Sequence, residues 1–150
     1  CLSATGNTKQ IAEEIAGQLG ADYFEITAKI PYSDADLNYN DDNCRANKEQ
    51  NDDTARPEIE GVIENLQKYD TVLIGHPIWW GKEPRIVYTL METYDLSGKS
   101  IAHFCTSGSS GIGTSDKNLQ AYLPDSTWLG SRRFSDKSEV ADWLSELGLK

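Results

Sequence analysis

Apolar residues return at every third and fourth position through Ile11, Ala12, Ile15, Ala16 and Leu19, which lays them on one face of a helix, and Gly20 stops the run. The same spacing predicts helices over Glu58–Gln67, where Ile59, Val62, Ile63 and Leu66 share a face, and over Pro84–Glu92 and Ser115–Leu123. A last helix, capped at Ser135 or Asp136, aligns Val140, Trp143, Leu144 and Leu147 before Gly148 ends it. Short apolar runs at Asp22–Ile26, Thr71–Gly75 and Ile101–Cys105, and a weaker one at Thr127–Leu129, separate these patterns. They lack clean alternation, as strands covered on both faces do. Strand and helix therefore alternate, the order of an α/β domain with a parallel, doubly wound sheet and right-handed crossovers.

Two stretches break this rhythm. Only Cys1-Leu2 precede the turn at Ser3–Thr8, too little for a central strand, so the pattern predicts that most of the first strand lies upstream of residue 1. Residues 31–57 form a long polar stretch rich in Asn and Asp with no period, expected to be functional or mobile in a compact domain. The chain otherwise suits one domain, 1–150, large enough to bury a real core.

Composition narrows the partners. No apolar run approaches the roughly 20 residues of a membrane span. Cys1, Cys44 and Cys105 are an odd, scattered set without a C-x-x-C pair. That argues against a disulfide framework or a metal site and fits a reducing compartment such as the cytoplasm. A formal net charge of −10 argues against nucleic acid, whose phosphates demand Lys and Arg. Residues 31–60 carry nine acids against Arg45, Lys48 and Arg56, so this segment holds −6 of that charge. Such a face either solvates the chain or steers a basic protein onto it.

Ligands of an open parallel sheet settle outside the carboxyl ends of its strands, so the loops there carry the chemistry. The first is Ser3-Ala4-Thr5-Gly6-Asn7-Thr8, three hydroxyls and an amide around one glycine in front of a helix. Side-chain O–H, free backbone N–H and the positive helix end together suit a phosphate, each donor contributing roughly 1.5–3 kcal/mol. The run holds no Lys or Arg, which suits a phosphate that stays bound rather than one transferred; a plain capped turn is the bland alternative. The second loop, His76-Pro77-Ile78-Trp79-Trp80-Gly81-Lys82, sets two tryptophans side by side. Neighbours in an extended segment point opposite ways, so one is expected to face the core and the other a ligand. The third, Thr106-Ser107-Gly108-Ser109-Ser110-Gly111-Ile112-Gly113, is small enough for its backbone to approach and donate to a flat polar ring.

In that order the three loops resemble one family, the flavodoxins with S-A-T-G-N-T and P-x-W-W-G loops, and the resemblance runs from Leu2 to the C-terminus. Asp95-Leu96-Ser97-Gly98-Lys99 before the fourth strand and the stretch from Ala35 to Ile59 fit it as well. The resemblance implies a three-layer αβα fold around a five-stranded parallel sheet of order 2-1-3-4-5, with a long insert after the second strand. It further implies one non-covalent FMN. Ser3, Thr5, Gly6, Asn7 and Thr8 would hold its phosphate; Pro77, Ile78, Trp79, Trp80 and Gly81 would line the isoalloxazine ring; Thr106, Ser107, Gly108 and Gly111 would meet its pyrimidine edge. Many relatives cover the outer ring face with a Tyr from the third loop, where this chain has Ser109 and Ser110. Stacking is then one-sided unless Tyr39 reaches over from the insert.

The function implied is low-potential electron transfer, in which the flavin carries the electrons and the protein tunes it by burial, hydrogen bonds and charge. Acidic surroundings and a third loop without a basic residue disfavour the reduced anion and make a strong donor. No catalytic side chain is then needed; the expected partners are redox proteins with a basic docking face, and the chain is expected to be a monomer or weak dimer. The rival is an NAD(P)H-dependent FMN or quinone reductase of the same fold, which needs an open flavin face. A tyrosine phosphatase would require Arg where Asn7 stands, a receiver module would require acids where Ser3 and Ala4 stand, and a Walker phosphate loop is absent. His103, Cys105, Trp128 and Trp143 are read as core, and His76 as a candidate ring contact.

Overall fold

A computed structural model describes residues 1–150. Its helices are α1 (Asn7–Leu19), α2 (Arg45–Gln50), α3 (Ile86–Thr93), α4 (Ser115–Tyr122) and α5 (Val140–Glu146). The strands are β1 (Thr71–Pro77), β2 (Ser100–Thr106) and β3 (Thr127–Phe134), all parallel and paired in the order β1-β2-β3.

The two faces of the sheet follow from the period of two along each strand. Ala102 and Phe104 of β2 point to one side, where they pack with Ile11 and Ile15 of α1 and Val140, Trp143 and Leu144 of α5. Ile74 and Ile101 point to the other, against Ile86, Val87 and Leu90 of α3 and Leu119 of α4. Helices thus cover both faces, giving three layers. The ring of Phe104 lies over Gly75, its partner in register, so closely that a Cβ there would sit 2.1 Å from the ring. Glycine is the residue that lets β1 and this ring share the layer.

Where five strands were expected, continuous pairing defines three. Asp22–Ile26 forms no strand: a single parallel bridge joins Leu2 to Ile26, with Ile26 N–H donating to Cys1 O at 2.6 Å. Leu2 N–H in turn reaches Gly75 O of β1 at 2.9 Å. The pairing of residues 22–26 with the first segment is this one bridge, too little to make a ladder. An apolar slot of about 340 Å³ continues alongside, lined by Phe24, Val72 and Ile74 among others.

The helix expected at Glu58–Gln67 is absent. Gly61 (φ +77°) and Asn65 (φ +59°) adopt left-handed backbone that no right-handed helix accommodates, leaving a single 3₁₀ turn at Leu66–Lys68. The backbone bonds elsewhere instead: Lys29 N–H to Glu58 O at 2.8 Å and Glu60 N–H to Thr27 O at 2.7 Å. Ile59, Ile63 and Leu66 still pack on the core, but Val62 is 77 % exposed. The aperiodic insert is ordered, with a 3₁₀ turn at Ala35–Leu37 and the short α2. β3 runs five residues past its expected end at Leu129.

Candidate functional site

The segments leaving Leu2, β1, β2 and β3 meet at the carboxyl ends of the strands around a cleft of about 630 Å³. The insert supplies another wall through Asp34, Leu37 and Tyr39.

In the first segment Gly6 takes φ +94° just ahead of α1. Ser3 Oγ accepts the backbone N–H of Gly6 at 3.1 Å and of Lys9 at 3.2 Å, so this side chain shapes the turn and satisfies two donors at the helix start. The N–H groups of Thr5, Asn7 and Thr8 have no protein acceptor and stand at the positive end of a 13-residue helix. Ala4, Thr5, Asn7 and Thr8 line the cleft, whereas Ser3 and Gly6 lie behind it. Buried Thr8 Oγ1 lies 2.7 Å from Thr106 Oγ1, which ties the first segment to the end of β2. Two hydroxyls sharing one bond leave one proton free to donate elsewhere.

The second segment carries the aromatic pair. Trp79 N–H donates to Lys82 O at 2.9 Å and Lys82 N–H to Trp79 O at 3.2 Å, closing a two-residue hairpin. Its central residues, Trp80 (φ +49°) and Gly81 (φ +78°), both have positive φ, the type I′ geometry. For a tryptophan that backbone costs roughly 1–2 kcal/mol. It turns the two indoles apart. Trp79 is 5 % exposed and meets Tyr32 edge-on at 5.0 Å, while the half-buried Trp80 carries the ring of Tyr39 at 4.6 Å. Pro77, Ile78, Trp79 and Trp80 all reach the cleft wall; Gly81 does not, but its carbonyl abuts Gly113 of the third segment, where a Cβ would come within 2.5 Å.

Thr106, Ser107 and Gly108 line the cleft from the third segment, and Gly111 stands exposed outside it. The Ser107 hydroxyl is fully engaged: it donates to Ser110 O and accepts from Arg133 Nε at 2.9 Å. What this segment offers the cleft is backbone, the N–H groups of Ser107 and Gly108 having no protein acceptor.

Arg133, with Ser135, Asp136 and Lys137 of the cleft wall, escaped the sequence reading, as did Asp34 and Leu37. The strand expected at Thr127–Leu129 stopped short of the segment that brings the first four here, and a full-length strand would have placed them. His76 does not reach the cleft. It is buried against His103 beneath α3 and α4, Nε2 to Nε2 at 2.6 Å, and burial lowers both imidazoles' affinity for a proton. Cys105 is fully buried and its thiol is pushed up to about 12, a packed apolar side chain rather than a nucleophile.

A parallel sheet wrapped in helices, with a hydroxyl-rich turn, an aromatic hairpin and a glycine-serine segment converging at its carboxyl edge, defines a flavodoxin-like α/β protein. The chain belongs to the flavodoxin family, whose model, described as Flavodoxin, matches residues 1–147. Among solved structures, a candidate flavoprotein of Bacteroides eggerthii DSM 20697 is 39 % identical, with a TM-score of 0.93 over 99 % of this chain and 95 % of that one. One from Bacteroides uniformis ATCC 8492 is 36 % identical, with a TM-score of 0.90 over 96 % and 94 %. A flavoprotein of Lactobacillus acidophilus NCFM, solved in complex with FMN, is 25 % identical, with a TM-score of 0.65 over 95 % and 93 %. No curated protein matches the chain.

Proposed function

We propose that the chain binds one FMN non-covalently in this cleft and works as an electron carrier. The observation that carries the reading is the pairing of uncommitted N–H groups at Thr5, Asn7 and Thr8 with the cleft-facing indole of Trp80. A phosphate fits the first and a flat heterocycle the second. Family membership and the FMN complex of the Lactobacillus acidophilus protein support the same cofactor.

On this reading Ser3 and Gly6 shape the phosphate turn, and Thr5, Asn7 and Thr8 donate into it. Pro77, Ile78, Trp79 and Trp80 form the ring wall, with Gly81 fixing the hairpin behind it. Thr106, Ser107, Gly108 and Gly111 frame the pyrimidine edge, with the donors there coming from the Ser107 and Gly108 backbone. The bound flavin supplies one- and two-electron chemistry; the chain's own residues bind it, orient it and set its surroundings. The acidic insert gives a basic redox protein its docking face, and the net charge of −10 favours a strong donor. The bridge of Leu2 to Ile26 on one side and its hydrogen bond to Gly75 on the other set the first segment between residues 22–26 and β1, which supports a single domain of order 2-1-3-4-5.

Tyr39 favours the carrier over the NAD(P)H-dependent reductase. Its ring lies directly on that of Trp80, centroids 4.6 Å apart, so a flavin entering against Trp80 displaces it outward, where it covers the outer ring face and leaves a nicotinamide none on which to stack. The test is direct: purified protein is expected to be yellow, to release FMN on acid treatment and, once reduced with dithionite, to be reoxidised by a one-electron acceptor. Colourless protein that ignores added FMN in calorimetry sinks the reading. Rapid steady oxidation of NADPH by the holoprotein would instead select the reductase.

A further inference from the structure

Arg132 and Arg133 are adjacent near the end of β3 and point to opposite faces. Arg132 pairs with Glu139 at 3.6 Å and Glu146 at 3.5 Å. Arg133 spends its guanidinium on neutral acceptors at the cleft rim: Nε donates to Ser107 Oγ at 2.9 Å, Nη2 to Ser107 O at 3.1 Å and Nη1 to Ser135 Oγ at 2.7 Å. Ser107 and Ser135 both line the cleft, so this cation stands immediately behind two of its wall segments. No carboxylate forms an ion pair with it, and a guanidinium bonded to hydroxyl and carbonyl oxygens keeps its full charge in a chain of net charge −10.

We propose that Arg133 is the positioning residue that sets how strongly the cleft favours reduced over oxidised FMN. The inference rests on the FMN reading above. Oxidised FMN has an uncharged ring; two electrons and one proton from solvent turn it into a ring anion. A cation behind Ser107 acts on that anion and on nothing in the oxidised ring, so it tightens one form selectively. The brace to Ser107 and Ser135, by contrast, serves both forms alike. Arg133 therefore offsets the acidic field that otherwise makes the bound flavin a strong donor, and no basic residue within the third loop is needed.

The experiment separates charge from brace. Dissociation constants for oxidised FMN and for dithionite-reduced FMN are measured anaerobically for the wild type, Arg133→Gln and Arg133→Lys. Arg133→Gln is expected to raise the ratio of reduced to oxidised constants about tenfold, a fall of about 30 mV in the bound two-electron potential. Arg133→Lys, which keeps the cation with fewer hydrogen bonds, is expected to hold the ratio while weakening both forms. Arg132→Gln is expected to leave the ratio unchanged. Arg133→Met removes the charge while keeping an extended apolar side chain and is expected to raise the ratio too, which keeps the test decisive if Arg133→Gln fails to fold. Equal weakening of both forms in Arg133→Gln or in Arg133→Met overturns the proposal while leaving FMN binding intact. A wild type that binds neither form sinks the FMN reading itself, and this inference with it.

Discussion

Tyr39 lays its ring on the indole of Trp80, centroids 4.6 Å apart and planes tilted by 37°, although one belongs to the insert and the other to the hairpin after β1. Tyr39 is 63 % exposed, so little besides this contact holds it. A stacked aromatic contributes roughly 1–3 kcal/mol to holding a heterocycle. Tyr39→Ala is therefore expected to raise the FMN dissociation constant about tenfold, and Trp80→Ala further, both read by quenching of flavin fluorescence. Tighter binding in Tyr39→Ala would mean that this ring competes with the flavin for Trp80 rather than covering it.

Much of this site was legible because its signals are local. Gly6 and Gly20 stand where the sequence places turns around α1, at φ +94° and +62°, and the core faces of α1, α3 and α5 follow their spacing. The cleft wall formed by Tyr39 and Asp34 was harder to read, because an aperiodic insert gives no period from which to place a side chain. The helix expected over Glu58–Gln67 failed for a physical reason. Ile59, Val62, Ile63 and Leu66 have helical spacing, but Gly61 and Asn65 take positive φ and the backbone pairs with Thr27 and Lys29 instead. Long-range pairing overrode local period there, and Arg133 stayed out of sight because its strand has weak apolar character.

His76 and His103 form a buried proton-sharing pair. His76 Nδ1 lies 2.8 Å from the Pro77 carbonyl, an acceptor only, so that nitrogen carries the proton and Nε2 accepts from His103 Nε2. His103 Nδ1 faces the Ser131 hydroxyl at 3.4 Å. Both rings are neutral, held so by burial, with Glu83 opposing the effect at His76. Native proton affinity lies below that of the unfolded chain, so the unfolded state binds more protons and stability falls as pH drops below about 6.5. Each imidazole is expected to account for about 2 kcal/mol between pH 7 and pH 5. Urea titrations at the two pH values should show a smaller loss in His103→Gln than in the wild type; parallel losses would place the pH dependence elsewhere.

Gln50 explains what the ordered insert does for the aromatic hairpin. From the end of α2 its buried Nε2 donates to Trp79 O at 2.8 Å and Glu83 O at 3.1 Å, bracketing the hairpin at both ends. Gln50→Leu keeps the volume and removes both donors, an expected loss of about 1–3 kcal/mol in urea. FMN affinity should fall with it, because the Trp80 backbone is strained and depends on its neighbours to stay in place. Unchanged affinity in a variant of reduced stability would show that the hairpin holds its shape without the insert.

Three glycines separate fold from site. A Cβ at Gly75 would strike the Phe104 ring at 2.1 Å, so Gly75→Ala is expected to cost about 1–3 kcal/mol of global stability, the range for an overfilled core. Gly111 has no heavy atom within 4 Å of an added Cβ and no positive φ, so Gly111→Ala should leave the thermal midpoint of the FMN-free protein nearly unchanged. Gly113 combines φ +64° with a Cβ position 2.5 Å from Gly81 O. Its alanine variant must move either its own turn or the hairpin that carries Trp80, and the hairpin is already strained. Gly113→Ala is therefore expected to weaken FMN binding by more than its loss of stability in the FMN-free protein implies, whereas Gly75→Ala lowers stability with oxidised-FMN affinity retained in the folded fraction. Thermal melts and FMN titrations on the same samples make the comparison; a Gly113→Ala protein with wild-type affinity would show that the third segment yields instead, leaving Trp80 where it is.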